Sequence, residues 1–192
     1  WVVEAGTDID ILDVGGGLPV NYPGKTPPSL DEIAAATHAA LDRFPQAFKP
    51  ELWLEPGRAL VAEGTSMLVQ VDLVRGNEVF MNDGAFGTLY DAVHCDWAFP
   101  VRLIRPDGDH AERLKAFTCY GPTCDSVDKL SHAIFLPEDI QEGDFIEFGT
   151  MGAYGVAMQS RFNGYGESVT AFASDTPWSS YFDTKEALSI TA

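Results

Sequence analysis

The feature that most narrows the fold is a unit met near the start of the chain. A short apolar run stops at glycine, a helix-forming stretch follows, and a second apolar run stops at another glycine-containing turn. In IDILDVGGGLPV (residues 9–20) the apolar residues Ile11, Leu12 and Val14 lead into Gly15, Gly16 and Gly17. From Pro27 to Phe44 the chain has helix character: Ser29 stands as an N-cap, Glu32 completes a capping box, and alanines with Leu41 follow at helical spacing. PELWLEPGRALV (residues 50–61) is the second run, and a helical or mixed segment follows it. Strand, helix, strand with glycine at the strand ends is the grammar of an α/β barrel.

Past about Thr65 the texture changes. TSMLVQVDLVRGNEVFMNDG, FPVRLIRPDGD, KAFTCYGPTCDS and GDFIEFGTMGAYGVAMQSRFNGYG alternate β-branched and aromatic residues with polar ones, punctuated by Gly, Asn-Asp-Gly and Pro-Asp-Gly turns. This predicts a mostly antiparallel β domain over residues 71–192, with residues 1–70 the α/β part. At 192 residues and 45% apolar content the chain can bury a sizeable core. Its formal charge of −17 repels phosphate backbones and anionic lipid surfaces, so neither nucleic acid nor a membrane is the expected partner. Three irregularly spaced cysteines, Cys95, Cys119 and Cys124, make no disulfide framework, and a reducing, cytoplasmic location is the expectation.

Four places carry chemistry. Gly15, Gly16 and Gly17 leave main-chain N–H groups unshielded, so the loop can wrap an anion, although three glycines alone also suit a plain tight turn. In EPGR (residues 55–58) Glu55 sits where a barrel strand ends and side chains reach an active site. Arg58, three residues on, could meet a phosphate or pair with Glu55 on the surface. YGPTCDSVDKL (residues 120–130) sets Cys124 beside Asp125 after a Gly-Pro turn and ends in residues that could start a helix. A thiol next to a carboxylate suits a proton donor better than a poised nucleophile, and the carboxylate could hold an ammonium; a packed cysteine beside a capping aspartate is the plain alternative. Tyr154, among small residues in FGTMGAYGVAM, has a phenol able to reach a phosphate oxygen or a partner chain, or to be satisfied in the core. His38, His94, His110 and His132 are scattered without ligand spacing, and no metal site is expected.

Taken in order, DVGGGLP, EPGR, NDGAFGTLYD, GPTCDSVD and MGAY closely resemble the C-terminal half of the ornithine/diaminopimelate/arginine decarboxylase family, pyridoxal-phosphate enzymes built from an alanine-racemase-like TIM barrel and a β domain. The resemblance spans residues 13 to 154. It implies that residues 1–70 are the last βα units of that barrel and residues 71–192 a Greek-key-like β barrel or sandwich. It further implies that Gly15, Gly16, Gly17, Gly57, Arg58 and Tyr154 bind the cofactor and that Glu55 pairs with the pyridinium nitrogen, keeping the ring an electron sink. Cys124 would be the catalytic proton donor, and Asp125 would hold the distal ammonium of a diamino acid across a head-to-tail homodimer with shared sites.

The Cys-Asp pair and Asn82-Asp83-Gly84 lean toward the ornithine or lysine enzymes, and hence polyamine synthesis, over diaminopimelate decarboxylases. A second substrate-binding aspartate is expected at Asp91 by its Leu-Tyr-Asp motif, whereas gapless counting brings Cys95 or Asp96 to that place. The family's Schiff-base lysine and first barrel strands have no counterpart here: Lys25, Lys49, Lys115, Lys129 and Lys185 sit in unlike contexts. The chain, which opens at Trp1, is therefore expected to be the C-terminal part of a longer enzyme, inactive alone and completed by an N-terminal half or partner chain. A non-catalytic, ornithine-decarboxylase-like binding protein, a diaminopimelate decarboxylase and a racemase are the alternatives.

Overall fold

The computed structural model describes residues 4–6, 9–45, 50–95 and 97–174. The described residues divide into two compact units, those up to residue 21 with those from 26 to 60, and residues 22–25 with those from 61 onward.

In the first unit, strand β1 (Ile11–Asp13) pairs in parallel with β2 (Glu51–Trp53), with Leu12 opposite Leu52, and helix α1 (Leu30–Leu41) lies between them in sequence. The capping box forms as the sequence requires. Ser29 Oγ accepts from Glu32 N at 3.2 Å, and Glu32 Oε2 accepts from Ser29 N at 2.8 Å, so two of the helix's orphan donors are satisfied at once. Beyond β2 a short helix, α2 (Arg58–Val61), leads out of the EPGR turn.

In the second unit six strands form one sheet, in the order β5-β8-β3-β4-β6-β7: β3 (Met67–Arg75), β4 (Glu78–Met81), β5 (Val101–Ile104), β6 (Leu114–Tyr120), β7 (Ile134–Pro137) and β8 (Phe145–Phe148). All pairings are antiparallel except β4 with β6, which run parallel. The two terminal strands of that order, β5 and β7, approach each other, so the sheet curls nearly to a barrel. Strand β3 supplies the bend: Met67 to Gln70 pair with β8, Val71 to Arg75 pair with β4, and the register slips between Val71 and Leu73. The core is the inward half of the period-two pattern: Val69 and Val71, Val79 and Met81, Phe117 and Cys119, Ile146 and Phe148 are all buried. Arg105, just past β5, places its guanidinium against both Asp144 and Asp139, tying the end of β5 to the start of β8.

The structure departs from the sequence pattern in three places. Residues after β8 were expected to continue as β, but the chain leaves the sheet at Phe148 and turns into a short helix, α4 (Gly155–Met158). The stretch after Cys124 was expected to open a helix. Instead Asp128 folds back to receive a hydrogen bond from Gly121 N on its main-chain oxygen (2.9 Å), and Lys129 bridges to Tyr120. Helix α3 (Tyr90–His94) follows the NDGAFGT loop, where no helix was foreseen.

Candidate active site

The glycine loop and the EPGR turn leave the same end of two neighbouring parallel strands. Pairing continues past the strands themselves, through Val14 N to Trp53 O (3.1 Å) and Glu55 N to Gly15 O (2.9 Å), which lays the two loops side by side. Gly16 has to be glycine: a Cβ there would stand 2.5 Å from the Glu55 carbonyl oxygen. Gly15 and Gly17 adopt left-handed φ of 75° and 76°, with open space where a side chain would be. Gly15 N is held by Asp13 Oδ1 at 2.7 Å. The N–H groups of Gly16 and Gly17 donate to no other described residue. The result is a stretch of main chain bare of side chains, exposed at Gly16 and Gly17 and laid against the main chain of Glu55, with Arg58 opening α2 three residues on. Gly57 is set apart from these: a Cβ on it would meet nothing, and its carbonyl accepts from Leu60 N at 3.0 Å.

Three loops of the second unit, one of them carrying Cys124, pack against one another. The loop of residues 121–128 is closed by its own main chain, and the buried carboxylate of Asp128 lies inside it, accepting from Thr123 N at 2.9 Å and, from a second loop, Ala85 N at 2.7 Å. Both Gly84 and Gly121 pack on that carboxylate so closely that a Cβ on either would come within 2.0 and 2.1 Å of Asp128 Oδ1. The second loop, NDGAFGT, winds round Asp83: Oδ1 accepts from Gly84 N (2.6 Å) and Thr88 N (2.8 Å), and Oδ2 from Thr88 Oγ1 (2.8 Å). Burial pushes the Asp83 carboxyl up, and these donors pull only part of the way back. The third loop, residues 159–166, is fastened to the second through Ser160, whose N and Oγ donate to Phe86 O at 2.9 and 2.8 Å, and through the Phe162 ring, 4.4 Å from that of Phe86.

Cys124 and Asp125 stand exposed at the tip of the first loop. Asp125 turns its Oδ1 onto Val127 N at 3.0 Å, and Asn163 of the third loop donates from Nδ2 to Cys124 Sγ at 3.5 Å. Asp91, in α3, is buried, and the Cys95 thiol points at its Oδ1 over 3.6 Å, so two of the three candidates for the second substrate contact adjoin each other; Asp96 lies outside the described residues, as do Lys49 and Lys185. Tyr154 takes a left-handed φ of 65°, uncommon for a residue with a ring, and its side chain is half-exposed. The turn before it is pinned by Gly152, whose N donates to Ala62 O at 2.9 Å and whose Cβ, if present, would overlap the Val61 carbonyl.

Residues 1–62 match the model for the pyridoxal-binding domain of pyridoxal-dependent decarboxylases, and residues 62–152 match the model for their C-terminal sheet domain. The chain belongs to the pyridoxal-dependent decarboxylase family. Among its relatives in this family are antizyme inhibitor 2 of Xenopus laevis, 31% identical over 88% of this chain and 40% of that protein. Diaminopimelate decarboxylase of Archaeoglobus fulgidus is 30% identical over 92% of this chain and 42% of its own length. Among solved structures, the lysine/ornithine decarboxylase of Vibrio vulnificus complexed with cadaverine superposes with a TM-score of 0.71 at 32% identity, covering 91% of this chain and 47% of that one. The chain thus spans about two fifths of the length of the curated relatives it matches.

Asp83, Asp128 and Asn163 escaped the sequence reading as site residues. A signal existed for the first two. Gly84, Gly87 and Gly121 are the glycines on which the two carboxylates pack, a Cβ on Gly87 likewise standing 2.0 Å from Asp83 Oδ1.

Proposed function

We propose that this chain supplies the cofactor-phosphate loop, the pyridinium partner and the proton-donor loop of a pyridoxal-phosphate-dependent decarboxylase acting on a basic diamino acid, L-ornithine or L-lysine, and releasing a diamine for polyamine synthesis. The observation that carries it is the Gly15 to Gly17 loop laid against the Glu55 main chain. A loop bare of side chains, whose Gly16 and Gly17 N–H groups donate to no other described residue, fits a phosphate, and Glu55, whose main chain lies against that loop, brings a carboxylate suited to a ring nitrogen that must stay protonated. Pyridoxal phosphate supplies an electron sink for the pair of electrons left when carbon dioxide departs.

The residues divide the work. Gly15, Gly16 and Gly17, with Gly57, Arg58 and Tyr154, bind the phosphate; Glu55 holds the nitrogen's proton. Cys124 gives its Sγ proton to the substrate carbon, Asp125 receives the distal ammonium, and Asp91 is the second carboxylate for that end. The first unit, ending near residue 60 rather than 70 because Met67–Gln70 already pair with β8, is the last βα units of a TIM barrel and the second a β domain of Greek-key type, the donor loop serving the site of a second copy in a cytoplasmic homodimer. Parallel strands are normally covered on both faces. Here Ile11, Trp53 and Leu54 are 42, 49 and 51% exposed, and α1 buries none of its residues, which favours a barrel completed by chain outside these residues, the cofactor's anchoring lysine included.

The test is carbon dioxide release by the complete polypeptide with pyridoxal phosphate, comparing L-ornithine, L-lysine and meso-diaminopimelate. Release from ornithine or lysine, with clean amine product lost in Cys124→Ala, is the expected result. Preference for meso-diaminopimelate would reassign the substrate, and bound cofactor without any release would reject decarboxylation. A second reading, a binding protein, is favoured by the identity to antizyme inhibitor 2. Absence of pyridoxal phosphate absorbance from the complete protein would decide for it.

A further inference from the structure

We infer that Asn163 is a positioning residue for Cys124, its side-chain amide donating to the sulfur and favouring the thiolate that remains once the proton has been given away. The inference rests on the proton-donor reading of Cys124. The geometry is a single exposed contact, Nδ2 to Sγ at 3.5 Å, and the loops on either side of it are held by other contacts.

On the asparagine side the backbone sits at φ 55°, ψ 19°, a left-handed conformation that Asn and Gly adopt readily and branched residues do not. Around it the loop has no slack. Ser160 and Phe162 fix it to Phe86, Gln159 Nε2 donates to Gly166 O at 2.7 Å, and a Cβ on Gly166 would come within 2.1 Å of Ser160 O. On the cysteine side the loop is held by Asp128, which grips Thr123 N and Ala85 N. The main-chain part of the entropy of bringing amide and thiol together is thus met by packing elsewhere, and the hydrogen bond has only the two side chains to order.

The chemical consequence follows from charge. When the Sγ–H bond breaks and the proton forms a C–H bond on the substrate, both electrons of the S–H bond stay on sulfur. Asp125, the next residue, opposes that charge, while an N–H donor strengthens its bond to it. Proton return from water restores the thiol.

Thiol chemistry reads this directly, without substrate or cofactor. In the complete polypeptide, alkylation by iodoacetamide is followed against pH for each cysteine separately by peptide mass spectrometry, with exposed Cys95 as internal control and buried Cys119 as reporter of folding. Asn163→Gly keeps the left-handed backbone and removes the amide; Cys124 should then react about two- to tenfold more slowly at neutral pH, with its profile moved to higher pH, while Cys95 is unchanged. Asn163→Asp, which also tolerates that backbone, replaces donor with carboxylate and should slow Cys124 further. An unchanged Cys124 profile in both variants overturns the inference. Faster alkylation in Asn163→Gly also overturns it, because the amide oxygen would then have been accepting from the thiol. Should Cys119 become reactive in the Gly variant, the Asp variant decides. Failure of carbon dioxide release with the thiol effect intact would reject the decarboxylase reading alone.

Discussion

Replacing Asp128 puts the architecture of the Cys124 loop to a quantitative test. Its buried carboxylate accepts two main-chain N–H groups from two loops, Ala85 at 2.7 Å and Thr123 at 2.9 Å. A hydrogen bond to a charged group is worth roughly 1.5–3 kcal/mol, so Asp128→Ala forfeits on the order of 3–6 kcal/mol. The upper part of that range is reduced by solvent: Ala85 is fully buried and its donor finds no substitute, whereas half-buried Thr123 can turn to water. A loss of about 3–4 kcal/mol is therefore expected, a large share of the roughly 5–15 kcal/mol that holds a domain together. Asp128→Asn keeps one acceptor and turns an NH2 toward the other donor, so about 1–3 kcal/mol is expected there. Urea unfolding of the complete protein measures both, through the midpoint at unchanged slope. Limited proteolysis should also find residues 121–127 newly open to cutting in the Ala variant. An Ala variant within about 1 kcal/mol of the parent, or an Asn variant as costly as Ala, would refute the claim that this carboxylate sews the loops together.

Two further outcomes follow from the same geometry. Gly121→Ala drives a Cβ to 2.1 Å from Asp128 Oδ1, so its cost should fall by at least about 1 kcal/mol when made in the Asp128→Ala background; additive costs would show that the contact does not exist. Burial pushes the Cys119 thiol from an ordinary value of 9.0 up to about 12, so the folded state keeps a proton that the unfolded chain gives up. That stability is whole below about pH 9 and is lost at about 1.4 kcal/mol per pH unit as the pH rises toward 12. Thermal unfolding between pH 7 and 11 should show this alkaline decline in the parent and a flatter one in Cys119→Ala, and parallel declines would contradict it.

How much was legible depended on the range of the interaction involved. The cap at Ser29 and Glu32, the turns at Gly15 and Gly17, and the alternating core of Val69, Val71, Phe117 and Cys119 are settled within a few residues, where propensity and periodicity act. The loop after β8 read as strand because aromatic and small residues alternate there, yet Thr150 and Tyr154 hold left-handed angles that no ladder accepts. The strand order β5-β8-β3-β4-β6-β7 has no local signature, because it depends on which distant edges meet after the bend in β3.

The same division runs through the site. The sequence alone determined the chemical inventory: three successive glycines after a strand, a carboxylate and an arginine after the next strand, and a thiol beside an acid at a loop tip. The conformational freedom of glycine and the reactivity of side chains are properties of the residues themselves. Tertiary structure alone decided that Asp128 turns inward to Ala85, 43 residues away, and that Asn163 reaches Cys124 across 39. Such contacts are formed by groups that are ordinary one by one, and only the closing of the sheet, which brings their loops to one place, gives a buried carboxylate its donors and a thiol its hydrogen bond.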